Sequence, residues 1–261
     1  MRRNMAHLFH TTGMVLSRRD WREADRVYSV LTSEYGKLEC VAKGARKPLA
    51  KLAPHLESVS EAEFLIVRGR LYDTIAGVER GRAFPGLSAN LSNALLAKHS
   101  LRLVDWGTRL AQPDAALYGC LTAWMAFVEP LPPMTPERSG FLLASFALRL
   151  LGWLGYRPEF VHCVQCHMTV VSGGFRWHPV RGGVVCQPCV EKAGEGSVSV
   201  RPLSDEALKF LRFALEQPPE QLLKLELRPD LVGTFHEAVE ALVISHFPTI
   251  PPVSLRGACL V

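Results

Sequence analysis

The 261-residue sequence predicts an α+β, multidomain fold: a small N-terminal β-barrel, an α-helical domain, and a four-cysteine module embedded in it. Three observations predict it. Short runs rich in β-formers fill about the first 80 residues, helical spacing takes over at Pro85, and two C-x2-C pairs interrupt the helical region. Apolar residues make up 48% and charged residues 21%, which excludes disordered, collagen-like and other fibrous classes. The longest apolar stretch, Phe141 to Leu151, is broken by Arg149 and is too short to span a bilayer. Arg2 and Arg3 have no apolar run behind them, so a signal peptide is not expected and a soluble, cytosolic location is.

The strand candidates are Thr12 to Leu16, Arg26 to Thr32, Leu38 to Ala42, Val59 to Val67 and Leu71 to Val78. Ser33-Glu34-Tyr35-Gly36 supplies a turn between the second and third. Five short strands in so little chain suit an OB-fold barrel better than an open sheet. The stretch Lys43 to Lys51 reads as a basic loop, because its Gly44 and Pro48 break regular structure.

Past Pro85, Leu87, Leu91, Leu95, Leu101 and Val104 recur at helical spacing. A second helix is expected from Asp114 to Val128, stopped by Glu129-Pro130-Leu131-Pro132-Pro133. Thr135-Pro136 then reads as an N-cap with proline at the first helical position, opening a helix to about Leu154. Apolar residues run nearly all round it, which predicts the central helix of a bundle. Further helices are expected from Ser204 to Leu215 and from about Asp230 to Ser245, with an extended tail from Phe247. The expected domains are 1–82 and 83–261, the latter interrupted by the cysteine module at about 160–192.

Charge is uneven. Residues 1–51 hold 11 Lys and Arg against 5 Asp and Glu, whereas the rest of the chain holds 19 against 20. That asymmetry points to a polyanionic partner, a nucleic acid or an anionic surface, or to a solvated basic face.

Cys163-Val-Gln-Cys166 and Cys186-Gln-Pro-Cys189 stand 19 residues apart. In a cytosolic chain of this length the pattern predicts a metal rather than disulfides. Four thiolates satisfy the tetrahedral preference of zinc and leave no position for activated water, so one structural zinc ion is expected. His162, His167 and His178 nearby read as surface residues, and Cys40, Cys120 and Cys259 as ordinary thiols.

Catalytic motifs are missing. The sequence has no P-loop, no G-x-G-x-x-G after a strand, no G-x-S-x-G elbow and no D-x-D cluster. His236-Glu237-Ala238-Val239-Glu240 has a glutamate where a metalloprotease helix needs its second histidine. The expectation is a binder and not an enzyme. The rival readings are a zinc-ribbon nuclease with dispersed ligands and a protein–protein adaptor with a structural zinc site.

Three blocks together resemble one family. The first is Trp21-Arg22-Glu23-Ala24-Asp25-Arg26 with Leu31-Thr32, Gly36-Lys37-Leu38 and Ala42-Lys43-Gly44-Ala45-Arg46-Lys47. The second runs from Leu150 through Gly152-Trp153-Leu154-Gly155-Tyr156-Arg157-Pro158. The third is the four cysteines with Phe175 and Gly182-Gly183 between the pairs. From about residue 10 to 255 the chain resembles the RecO family of bacterial DNA repair proteins. It departs at His167, where the family commonly has glycine, and at Pro48-Leu49-Ala50, where a serine-rich stretch is usual.

The resemblance implies an OB-fold, a helical domain and a zinc module held by Cys163, Cys166, Cys186 and Cys189. It implies a recombination mediator that binds single- and double-stranded DNA and anneals strands without a nucleotide cofactor. The implied partners are RecR, the C-terminal tail of single-stranded DNA-binding protein, and functionally RecA and RecF, in a cytoplasmic, nucleoid-associated setting with no membrane. The expected phosphate contacts are Arg18, Arg19, Arg22, Lys37, Lys43, Arg46, Lys47 and Lys51. Trp21, Tyr28 and Tyr35 are the stacking candidates. Of these Tyr28 alternates toward the core, whereas Trp21 and Tyr35 sit beside turns. Arg26 is expected to pair with Glu23 or Asp25. Arg102, Arg109, Arg138 and Arg149 are the basic residues considered for the partner's acidic tail.

Overall fold

The computed structural model describes residues 8–48, 50, 52–57, 59–193, 200–247 and 255. Five strands open the chain: β1 (Leu8–Trp21), β2 (Asp25–Thr32), β3 (Gly36–Ala42), β4 (Ser60–Val67) and β5 (Asp73–Ala83). They form a closed barrel in the order β1-β2-β3-β5-β4. The first half of β1 pairs with β4 and the second half with β2, with a bulge between Val15 and Ser17 where the long strand bends. Parallel pairs Cys40–Asp73 and Val41–Thr74 join β3 to β5, and closure leaves no open edge.

Alternation along the strands turns Phe9, Tyr28, Val30, Leu38, Phe64 and Ile66 into the barrel core. Tyr28 is fully buried, as its alternation implied. A short helix α1 (Ala53–Glu57) inserts Leu56 into that core. This helix has no signal in the sequence, because five residues are too few to carry a helical period. Gly36 makes the β2–β3 turn at a φ of +69°, and a Cβ there would stand 2.1 Å from the Gln112 carbonyl oxygen.

Helices α2 (Leu91–Gly107) and α3 (Ala115–Val128) follow. The leucine spacing predicted α2 from Leu87, but Pro85–Ser88 is a separate 3-10 turn and Asn90 caps the helix, accepting from the Asn93 N–H at 2.9 Å. Asp114 caps α3 in the same way, from Leu117 N–H at 2.8 Å. The indole of Trp124 on α3 donates to Ser100 Oγ on α2 at 3.0 Å.

By internal packing the chain divides into two compact units, 1–133 and 134–261, so α2 and α3 go with the barrel although the change from strand to helix pattern comes near 82. The second unit is built on α4 (Pro136–Trp153), capped by Thr135 from Arg138 N–H at 3.3 Å. Every residue of α4 from 139 to 148 is buried, as expected of a central helix. After it come β6 (Phe175–His178), β7 (Gly183–Cys186), α5 (Gln187–Ala193), α6 (Asp205–Glu216), α7 (Pro219–Leu222) and α8 (Pro229–His246). Phe141 of α4, Phe210 of α6 and Phe235 of α8 meet at centroid separations of 5.1–5.3 Å and form the middle of the bundle. The tail from 248 on and Lys51 lie outside the described residues, Leu255 excepted.

One polar cluster fastens α2 to the barrel. Asp105 accepts from Ser17 Oγ and Ser29 Oγ, each at 2.6 Å. Lys37 Nζ donates to the Asp105 carbonyl oxygen at 2.5 Å and lies 3.4 Å from its carboxylate. The two side chains are only 12% and 17% exposed, so removing either strands the other's charge. Asp105→Ala is expected to lower unfolding free energy by about 2–4 kcal/mol. Lys37→Met with Asp105→Leu should recover most of that loss, with denaturant melts as the measurement.

Candidate metal centre and nucleic-acid surface

The four cysteines come from two turns. Cys163 to Cys166 forms the first, closed by the His167 N–H to the Cys163 carbonyl at 2.9 Å and by the Cys163 N–H to the Met168 carbonyl at 2.8 Å. Cys186 ends β7 and Cys189 lies in α5, so the β6–β7 hairpin carries the second pair back to the first. Glu159 holds the approach, accepting from the Val161 and His162 N–H groups at 2.7 and 2.9 Å.

All four Sγ atoms lie within 4.8 Å of one another, and Cys166 and Cys186 are 3.6 Å apart. Tetrahedral zinc with four thiolates needs sulfurs about 3.8 Å apart, so the donor set and its spacing fit. Backbone N–H groups of Gln165 and Cys186 point at Cys163 Sγ, each at 3.4 Å. Burial opposes ionisation of Cys163, but these donors and the Cys166 N–H outweigh it and bring the thiol down to about 6. Burial and the three neighbouring thiols push Cys189 the other way. Four thiolates cannot crowd together unless a cation compensates their charge, and this cluster can hold a metal ion.

The module is tied to α6. Asp205 accepts from the Ser172 hydroxyl and from the Gly173 N–H, and Arg212 donates to the Phe160 carbonyl, Nε at 3.0 Å. Trp177 of β6 stacks on Phe160 at 5.5 Å and exchanges backbone hydrogen bonds with Arg201.

On the barrel, the basic loop docks against the β1–β2 turn. The Gly44 N–H donates to Asp25 at 2.8 Å and the Arg46 N–H to the Ala24 carbonyl at 3.0 Å. This brings Arg22, Lys43, Arg46 and Lys47 together, all exposed. Arg18 and Arg19, near the end of β1, are exposed as well.

The cations are not equivalent. Arg18 pairs with Glu57, Arg19 with Glu39 at 3.5 Å, and Arg46 with Asp20 at 3.6 Å. Arg22, Lys43 and Lys47 have no ion pair among the described residues. Arg26 pairs with Asp20 at 3.1 Å and Glu57 at 2.6 Å rather than with its sequence neighbours Glu23 or Asp25. Lys37 is set apart, enclosed against Asp105 at the other end of the β2–β3 hairpin. Tyr35 lies at that same far end, half-buried, with its ring 4.6 Å from Phe9. Trp21 is also half-buried, packed edge-on against Tyr72.

The expected strand Leu71 to Val78 takes in Tyr72 and so hides the turn that holds Arg68, Arg70 and Tyr72. β5 begins only at Asp73, and Arg68-Gly69-Arg70 straight after β4 was the available signal of a basic turn. In the second unit Arg138 donates to the Leu222 and Leu225 carbonyls at 3.0 and 2.8 Å, and Arg149 to the Gln217 carbonyl. Arg102 lies 4.9 Å over the Trp106 ring, and both Arg102 and Arg109 are exposed.

His167 adopts a φ of +61°, the left-handed conformation glycine favours, so histidine bears the strain of this turn. His167→Gly is expected to stabilise the second unit by several tenths to about 1 kcal/mol, since relief of about 1–2 exceeds glycine's entropic cost. Thermal melts of the two proteins measure it.

Two family models cover the chain: Recombination protein O N terminal over residues 5–84 and Recombination protein O C terminal over residues 89–255. A relative from Symbiobacterium thermophilum, named DNA repair protein RecO, is 32% identical over 241 residues, 91% of this chain and 92% of the relative. Another of that name, from Desulfitobacterium hafniense (strain DSM 10664 / DCB-2), is 30% identical across 84% of this chain and 77% of its own length. A third, from Alkaliphilus metalliredigens, is 26% identical across 96% and 98%. With both parts of the chain matched in order and the cysteine cluster in place, this protein belongs to the RecO family of DNA repair proteins.

Proposed function

We propose that this RecO-family protein is a non-enzymatic recombination mediator. It binds single- and double-stranded DNA, anneals complementary strands, and helps load RecA onto DNA coated by single-stranded DNA-binding protein. RecR and RecF are its co-workers, and the coating protein's acidic C-terminal tail recruits it. The observation that carries the reading is the docking of the basic loop on the β1–β2 turn, which gathers Arg22, Lys43, Arg46 and Lys47 at one end of the barrel. The strand order, with a helix between β3 and β4 plugging the barrel, is consistent with an OB-like fold.

Annealing on such a surface needs no chemistry. Cations that neutralise phosphates screen the repulsion between two strands, and base pairing supplies the driving force. The unpaired Arg22, Lys43 and Lys47 carry most of this charge, whereas Arg18, Arg19 and Arg46 exchange a carboxylate for a phosphate when DNA arrives. In the second unit, one zinc ion bound by Cys163, Cys166, Cys186 and Cys189 supplies folding energy rather than catalysis. Among the described residues no helix is long and apolar enough to cross a membrane.

Annealing of complementary oligonucleotides coated with single-stranded DNA-binding protein, without ATP, tests the proposal. Wild type should accelerate it and Arg22→Ala/Lys43→Ala/Lys47→Ala should do so weakly. The slope of log affinity against log salt should fall by about 2 in the triple variant, at roughly 0.7 per lost contact on single strands. Glu57→Gln should raise affinity by releasing Arg18, while Arg26 stays paired with Asp20. A folded wild-type protein that neither binds DNA nor anneals it would overturn the reading.

Elemental analysis of the purified protein should find one zinc per chain. Cys163→Ser and Cys189→Ser are expected to lose it together with the solubility of the second unit. Soluble, zinc-free variants that melt like wild type would show that the metal is not structural.

A further inference from the structure

The turn between β4 and β5 is built more tightly than a linker needs to be. Asp73 accepts from the Gly69 N–H at 3.1 Å and from the Arg68 guanidinium at 2.9 Å. A Cβ on Gly69 would stand 1.8 Å from the Tyr72 carbonyl oxygen, so only glycine lets the turn close this far. The turn delivers a side chain into each of two aromatic–cation stacks. At one end, Tyr72 meets Trp21 with ring centroids 5.2 Å apart and planes at 74°. Arg19 lies over both rings, at 5.5 and 5.4 Å, and donates to the Tyr72 hydroxyl at 3.0 Å. At the other end, Arg68 lies 4.5 Å over Phe9 and 5.6 Å over Tyr35. Between them the turn exposes Arg70 and Leu71, the latter by 78%.

Both stacks are on the surface. Arg19 and Arg68 are exposed, and Trp21, Tyr35 and Tyr72 are half-buried. The geometry points to this turn as a clamp for unpaired nucleic-acid strands, with Trp21 and Tyr72 forming a station for one base and Arg68 and Arg70 meeting its phosphates. A guanidinium and a nucleobase are both planar, and both are held by the face of an aromatic ring. Arg19 occupies in the free protein the ring face that a base takes in the complex. Glu39, 3.5 Å from Arg19, keeps the displaced cation near the flanking phosphate. A paired base has both faces covered by its neighbours, so the clamp selects single strands and tolerates any sequence. The inference rests on the DNA-binding reading above and adds Tyr72, Arg68 and Arg70 to its surface.

An oligothymidylate and an abasic strand of the same length carry equal charge and differ only in their bases. The full-length protein is expected to bind the base-bearing strand about tenfold more tightly, by anisotropy. Tyr72→Ala should bring that ratio close to one, and Tyr72→Phe, which keeps the ring, should restore it. Titration with oligothymidylate should quench tryptophan fluorescence in wild type, and Trp21→Phe should remove that component. These wild-type measurements stand even if Tyr72→Ala fails to fold. Equal binding of the two strands by a protein that does bind DNA would overturn the clamp and leave the mediator reading intact. So would a Tyr72→Ala variant that weakens both strands alike. Absence of binding to either strand would overturn the mediator reading itself and the clamp with it.

Discussion

Two parallel residue pairs, Cys40–Asp73 and Val41–Thr74, close the barrel, and the arrangement of its loops depends on them. Without that short ladder β3 and β5 would be free edges, and the sheet would have no reason to bring its distant turns together. With it, Asp73 starts β5 beside β3, and the turn just before it comes to lie against Trp21 at the end of β1. Leu56 then fills the barrel that closure creates. The bulge between Val15 and Ser17 belongs to the same constraint, because it lets one strand serve two neighbours.

Charge on the barrel is organised by pairing rather than by excess. Carboxylates of Asp20, Glu39 and Glu57 each hold an arginine in place, so the guanidiniums are oriented before any ligand arrives. Exposed pairs of this kind contribute little to stability. They pre-position a donor at the cost of a competitor that a phosphate must replace, which makes the surface responsive to salt. Lys37 shows the opposite use of the same residue type. Enclosed with Asp105, it fastens a helix to the barrel and presents little charge to solvent.

The second unit solves a different electrostatic problem. Its cysteine turns press four sulfurs together and aim backbone N–H groups at one of them, an arrangement that favours thiolates and therefore a cation. Asp205 and Arg212 of α6 grip the module by its backbone, at Gly173 and Phe160, so its position follows from the helical bundle. The aromatic meeting of Phe141, Phe210 and Phe235 holds that bundle together.

Much of this was legible from the sequence, because its signals are local. The C-x2-C spacing announced the metal cluster, the Thr135-Pro136 cap marked the start of α4, and the expected helix starts at Asp114 and Ser204 fall on the residues that cap α3 and α6, since capping is decided by neighbours three positions apart. Alternation alone placed Tyr28 inside the barrel. Tertiary structure decided which charges and rings stand together. Glu57 reaches Arg18 and Arg26, Glu39 reaches Arg19, Asp105 reaches Lys37 and Tyr72 reaches Trp21 only because closure and helix packing make neighbours of residues 20 to 68 positions apart. Electrostatic and stacking partners are chosen by distance in space, which the order of residues along the chain does not encode directly, so the sequence by itself determined the elements, the metal-binding pattern and the sign of the surface, while the fold decided which of its cations stand free.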